Sequence, residues 1–168
     1  SVTTLRNGLK TALEPRTAGP KARLRVLDSL HQAGVPVGAI IAPVIPCINE
    51  HELEDIVVAV SKNGASRIGY ILLRLPLEVE DLFVEWLQRH YPNRAERVMS
   101  HIRAMRGGAA YRAEWGTRMR GQGTYADLLA KRFELATMRA GLSTEMQAPL
   151  RTDLFRPAID QLSLFGSP

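Results

Sequence analysis

The sequence predicts an α/β fold built on parallel strands, and three observations carry that expectation. Apolar runs alternate with helical stripes; one run, residues 35–42, is nearly unbroken, as suits a strand covered on both faces; and glycine closes successive stripes at Gly34, Gly64 and Gly141. Strand, helix, strand in succession implies parallel strands joined by right-handed crossovers.

In chain order, residues 1–5 (Ser-Val-Thr-Thr-Leu) read as the end of a strand. Residues 20–33 repeat apolar positions at Leu24, Leu27 and Leu30, a helical stripe, before the strand at 35–42. Asn49 with Glu52 resembles a helix-capping pair ahead of the stripe Leu53, Ile56, Val57 and Val60. Residues 68–73 form the next strand, with helices expected over 79–90, 94–106 and 124–140. Gly107 and Gly108 open an irregular basic stretch that reaches Gly123. The organisation is thus residues 1–106 as a βα unit, 107–142 as a basic loop and terminal helix packed on it, and 143–168 as a flexible tail without periodicity. Such a short run of strands makes a poor independent sheet, and the chain opens inside its first strand without a methionine, so further βα units are expected before Ser1.

The 168 residues, 45% hydrophobic and 23% charged, suffice for one domain with a real core. No apolar run is long enough to span a bilayer and residues 1–10 lack a secretory layout, so a cytoplasmic protein with no membrane partner is expected. Cys47 is the only cysteine, which excludes an internal disulfide and a thiolate metal site built from this chain alone. The net charge of +5 is carried mainly by arginine, the lysines being Lys10, Lys21, Lys62 and Lys131. Guanidinium forks suit polyanions, and a composition bias accounts for them equally.

In parallel βα proteins ligands gather at the carboxyl ends of strands. Here those ends are Thr3 and Thr4, residues 43–50, and residues 74–77. Tyr70, Leu72 and Arg74 alternate, so one face of that strand is expected to point inward, with Arg74 meeting a carboxylate or phosphate or else pairing with Glu78. His51-Glu52 opens a zinc-protease pattern that Asp55 breaks, and the histidines are expected to face solvent. Gly121-Gln122-Gly123 imitates a dinucleotide fingerprint but follows an arginine-rich loop in place of a buried strand. Leu82, Phe83 and Trp86 read as core.

Several strings together carry a family resemblance: residues 1–5, Leu13-Glu14-Pro15-Arg16, residues 42–50, residues 69–78, Met105-Arg106-Gly107-Gly108 and residues 116–121. They resemble the radical S-adenosylmethionine family, in particular the bacterial DNA repair photolyase-like group related to spore photoproduct lyase. The resemblance implies the carboxyl-terminal half of a partial parallel βα (TIM-like) barrel, with added carboxyl-terminal helices. It also implies S-adenosylmethionine and a 4Fe-4S cluster, whose Cys-x-x-x-Cys-x-x-Cys loop is absent from this chain, so no metal ligand is expected within it. Ribose contacts would map to Thr3 and Thr4, with Ser1 weaker. The family's Gly-x-Ile-x-Gly-x-x-Glu pattern maps onto residues 43–50, which puts Ile45 against adenine and Glu50 in the supporting turn. Pro43 replaces the first glycine of that pattern and Cys47 the second. Cys47 is then either a hydrogen-atom donor to a substrate radical or a tolerated replacement.

Arg103, Arg106, Arg112, Arg118 and Arg120 cluster around Tyr111, Trp115 and Tyr125, the residue types a nucleic-acid surface needs. Arg106, Arg112, Trp115, Arg118 and Arg120 are the expected DNA contacts, against the alternative of a basic loop that only caps the fold. In the tail, Gln161, Leu162, Leu164 and Phe165 resemble the peptide by which bacterial DNA-processing proteins bind the sliding clamp; the alternative is that Leu164 and Phe165 dock on the domain. The expected function is a radical enzyme acting in DNA repair or a DNA-linked modification. Its rivals are modification of RNA or peptide, and a non-catalytic DNA- or clamp-binding adaptor.

Overall fold

The computed structural model describes residues 1–144 together with 153, 154 and 156. The chain is mixed α/β: α1 (Asn7–Leu13), α2 (Pro20–Gln32), β1 (Gly38–Val44), α3 (Leu53–Lys62), β2 (Arg67–Leu72), α4 (Val79–His90), α5 (Ala95–Ala104) and α6 (Thr124–Arg139), with short 3-10 turns ahead of α3 and α5. None of the described helices is long and apolar enough to cross a membrane.

β1 and β2 pair in parallel, with Gly38 opposite Arg67 and Ile41 opposite Tyr70, and the register breaks before Val44 meets Leu72. α3 makes the crossover between them. Residues 1–5, expected as a strand, form none; a single backbone bond, Val2 N–H to the Ile40 carbonyl at 2.9 Å, docks them on β1, and the Thr3 hydroxyl donates to the Ala42 carbonyl at 2.8 Å. Both contacts ascend with β1, so the segment follows it in the same direction without the repeated bonds of a ladder. On β2, Ile68 N–H reaches the Ser143 carbonyl and Leu72 N–H the Met119 carbonyl, each at 2.9 Å.

One face of the sheet is sealed. Ala39, Ile41, Ile68, Tyr70 and Leu72 pack with α3 and α6, and the Tyr70 and Phe133 ring centres lie 4.7 Å apart. Each fully buried Ile, Leu or Val here contributes about 1.5–3 kcal/mol. The other face is open: Ile40 is 45% exposed, Gly38 and Arg67 are exposed, and Gly69 and Ile71 are half-buried. Tyr70 and Leu72 therefore face the helix layer and not an inward cavity, which corrects the sequence expectation. Both alternation patterns satisfy the pleat, and only the position of α3 and α6 chooses between them.

A second core covers the carboxyl ends of the strands. Ile45, Ile48 and Leu75 pack with Leu9 of α1, Phe83 and Leu87 of α4, and Val98 and Ile102 of α5. The Trp86 indole N–H donates to the Ala12 carbonyl at 2.9 Å, tying α4 to α1. α1 was not legible in the sequence, because its Asn-Gly start and short length carry no stripe. Leu82, expected in the core, is 63% exposed on α4.

Asn49 and Glu52 do not cap α3; neither helix start carries a side-chain capping bond. The Asn49 carboxamide instead accepts from Ile45 N–H at 2.6 Å and donates to the carbonyls of Thr3 at 2.7 Å and Pro43 at 2.9 Å. The Glu52 carboxylate, in a residue 5% exposed, accepts from the Thr4 hydroxyl, from Leu5 N–H at 2.7 Å and from Arg6 Nε at 2.9 Å. Burial makes these acceptors costly to lose, whereas the Arg6 side chain is 47% exposed. Glu52→Ala is expected to lower unfolding free energy by about 3 kcal/mol and Arg6→Ala by less than about 1 kcal/mol, as measured by urea denaturation.

Candidate functional site

The carboxyl ends of β1 and β2 adjoin, since Leu73 N–H bonds the Val44 carbonyl at 2.9 Å, and Asn49 brings Thr3 to the same end. Thr3, Thr4, Ile45, Cys47, Glu50 and Arg74 thus gather at one end of the sheet, but not on one open surface. Thr3 and Thr4 are each 2% exposed and Ile45 is fully buried. The Thr4 hydroxyl donates to Glu52 and accepts from Arg6 N–H at 3.1 Å, so its bonding capacity is used. Thr3 is held by Ala42 and, at 3.3 Å, faces Glu14, which itself pairs with Arg23 at 2.8 Å. These three residues are buried, and the two threonines are hydrogen-bonded within the chain. Sequence alone could not show this, because a threonine at a strand end is equally suited to a ribose or to a neighbouring carboxylate. Ser1 is exposed.

What remains accessible lies in the turn after β1. Cys47 is half-buried and takes φ +59°, the left-handed region that glycine favours. Its carbonyl accepts from Arg94 at 3.1 Å. Burial, then the Glu50 carboxylate, pushes its thiol above the ordinary value against the opposing pull of Arg97 and Arg94, so it is a neutral S–H near pH 7. Glu50 receives the Tyr125 hydroxyl at 3.4 Å on one oxygen, while the other is buried with no partner among the described residues. Tyr125 stacks on His101 with ring centres 4.3 Å apart, so this histidine does not simply face solvent. Burial first, and then Glu50 and Cys47, raise the Tyr125 phenol to about 12. Arg132 of α6 grips both oxygens of Glu54 at 2.7 Å and the Glu50 carbonyl at 3.0 Å, which holds Tyr125 over this turn and keeps the Glu54 carboxyl below its ordinary range.

Arg74 follows β2. Its Nη2 donates to the Tyr111 hydroxyl at 2.9 Å, its Nε is buried without a partner among the described residues, and no ion pair with Glu78 forms. Arg106, expected to touch DNA, is 4% exposed and donates to the carbonyls of Leu73 at 2.7 Å and Arg118 at 3.1 Å. It anchors the basic stretch to the end of β2 and offers little to a surface ligand. Arg118 lies 4.4 Å over the ring of Trp115, itself 83% exposed; Arg120 is exposed with its guanidinium 4.3 Å over the Tyr70 ring; and Arg112 is exposed. Among the described residues no group of His, Cys, Asp and Glu is placed to hold a metal ion. Gln161, Leu162, Leu164 and Phe165 lie outside the described residues.

No family model and no solved structure matches the chain. An uncharacterized protein, ORF301 of Acidianus two-tailed virus, is 44% identical over 46 residues, and the match spans 27% of this chain and 15% of the viral protein.

Two measurements test the turn after β1. Cys47→Gly is expected to leave stability equal or raise it by up to about 1 kcal/mol, and Cys47→Val to lower it by about 2 kcal/mol, because a β-branched side chain tolerates positive φ worst. Between its ordinary pH of 10.0 and about 12, the Tyr125 phenol keeps its proton in the folded chain and loses it in the unfolded one. Stability therefore falls as pH rises through that window, and Tyr125→Phe is expected to flatten the fall and remove a late step from the ultraviolet phenolate titration.

Proposed function

We propose that this chain is the carboxyl-terminal part of a radical S-adenosylmethionine enzyme that acts on DNA through a 5'-deoxyadenosyl radical. The observation that carries the reading is the layout of the sheet. Residues 1–4, β1 and β2 run the same way, the helix layer seals one face, and the other face, with Ile40 at 45% exposure, is left as the inner wall of a partial βα barrel would be. Further strands would close that wall.

The chain's own residues fit the implied groups only in part. One cysteine does not ligate a 4Fe-4S cluster, so in this reading the cluster's ligands lie outside these 168 residues. Toward S-adenosylmethionine, Glu50 is the candidate group, since one of its carboxylate oxygens has no partner among the described residues, while Thr3, Thr4 and Ile45 are buried at the same end of the sheet. The cofactor, when bound, supplies the radical; this half contributes orientation and a nucleic-acid surface. The neutral Cys47 thiol is the protonation state from which a hydrogen atom is given up.

DNA is favoured as substrate by the exposed Trp115 with Arg118 stacked on it, flanked by Arg112 and Arg120. An exposed aromatic face beside guanidinium groups suits unstacked bases and their phosphates. A sliding-clamp partner rests on the tail sequence alone. The burial of Thr3, Thr4 and Ile45 favours a second reading, a DNA-binding adaptor that shares the fold and holds no cofactor.

The coding sequence upstream of Ser1 separates the two: the enzyme requires three cysteines at Cys-x-x-x-Cys-x-x-Cys spacing. The intact protein, reconstituted with iron and sulfide and reduced, is then expected to release 5'-deoxyadenosine, and failure to do so with the cysteines present would sink the enzyme reading. In either reading, joint replacement Arg118→Ala with Arg120→Ala is expected to weaken oligonucleotide binding and to reduce the log–log salt slope by about 1.4 for a single strand.

A further inference from the structure

The two guanidinium groups at the end of β2 are unusual in their company. Arg106 is 4% exposed, and its positive charge is answered only by the carbonyls of Leu73 and Arg118. Arg74 beside it is answered by the Tyr111 hydroxyl and, at 3.9 Å, by the Met119 sulfur, while its Nε–H is buried with no acceptor. Neither arginine makes an ion pair among the described residues, and Glu80 of α4 pairs with Arg103. Burial, then the charge of Arg74, lowers the pKa of Arg106.

Buried cations are ordinarily paired, because neutral dipoles replace the lost hydration of a charge only in part. Two cations side by side add mutual repulsion to that deficit. The arrangement persists because each guanidinium is also a strut, Arg106 holding the basic stretch to the strand and Arg74 holding Tyr111. What the pair lacks is one oxyanion. A guanidinium fork donates to two oxygens of a tetrahedral phosphate at once, and Arg74, half-buried, has an N–H with no acceptor among the described residues. The next link outward identifies where such a phosphate would come from. The Arg118 carbonyl that receives Arg106 belongs to the residue whose own guanidinium covers the exposed Trp115 ring, so the pair sits directly behind a base-stacking surface.

We infer that half-buried Arg74 is a phosphate-binding subsite at the carboxyl end of β2, in which it donates to one backbone phosphate of a nucleic-acid strand that also offsets the charge of buried Arg106 behind it, while an adjoining base stacks at Trp115. The inference rests on the nucleic-acid reading above and adds to it a fixed register point, a buried counter-charge that positions the strand relative to the end of the sheet. Exposed Arg112 and Arg120, with half-buried Arg118, then supply attraction without register.

The test uses the full 168-residue chain with a fluorescein-labelled single-stranded oligothymidylate and, separately, inorganic phosphate. Arg74→Gln is expected to weaken oligonucleotide binding about tenfold and to lower the log–log salt slope by about 0.7, the contribution of one phosphate, with Arg74→Lys in between. Phosphate at constant ionic strength is expected to raise the Tm of the wild-type chain and not that of Arg74→Gln. A merely structural role for Arg74 would lower Tm in every buffer and leave the salt slope of the remaining binding unchanged, which overturns the subsite. Oligonucleotide binding by the wild type with no change in Arg74→Gln overturns the subsite and leaves the nucleic-acid reading standing. No oligonucleotide binding at all, together with an Arg74-dependent response to phosphate, overturns the nucleic-acid source and the reading it rests on, while supporting the phosphate site itself. Circular dichroism of each variant establishes that it is folded.

Discussion

The structure depends on the Asn49 carboxamide. From one buried side chain it answers the amide of Ile45 and the carbonyls of Thr3 and Pro43, so the first segment, the end of β1 and the following turn are held at a single point. Each of those backbone groups is cut off from water, and an unmade bond there would carry the full desolvation cost of the group. Glu52 repeats the device one turn later for Thr4, Leu5 and Arg6. Residues 1–5 have too few ladder bonds to stay on the sheet by backbone pairing alone. They stay because two side chains of the β1–α3 connection hold them there.

That constraint shapes the site. The Thr3 carbonyl meets the carboxamide and the Thr4 hydroxyl the carboxylate, and beside this lock stand Cys47 at positive φ, Glu50 with one oxygen that has no partner among the described residues, and Tyr125 laid across the turn from α6. Rigidity and accessibility are thus divided along the same turn. Asn49 and Glu52, the most buried polar residues of the turn, hold backbone, while Cys47 and Glu50 between and beside them are only half-buried.

The basic stretch follows a similar division. Arg106 is buried and structural, whereas Arg112, Arg118 and Arg120 stay at the surface, two of them over aromatic rings. A guanidinium on an aromatic face keeps its charge toward solvent while its plane is packed, so such residues keep long side chains ordered without neutralising them. The consequence is a surface that is positive and pre-organised, anchored to the last strand through the Leu73 carbonyl.

How much of this was legible varies with the range of the interaction. α4 was readable to its ends over residues 79–90, and α2, α3 and α6 nearly so, because an amphipathic stripe and a terminal glycine are local signals. The two apolar runs became parallel strands for the same reason. The Asn49 and Glu52 pair shows where local reading stops: their spacing imitates a capping box, yet both side chains are drawn to partners more than forty residues away in sequence, Thr3 and Thr4, that no window contains. The burial of Arg106 was invisible because its partners lie outside its own helix, and α1 because its short length carries no stripe. By itself the sequence determined the longer helices, the two paired strands and their parallel direction, and that arginine dominates one stretch, since these follow from periodicity and composition. Only the tertiary structure decided which strand face is sealed, which threonines are spoken for and which arginines meet solvent, because each of those outcomes depends on what a side chain meets when distant parts of the chain come together.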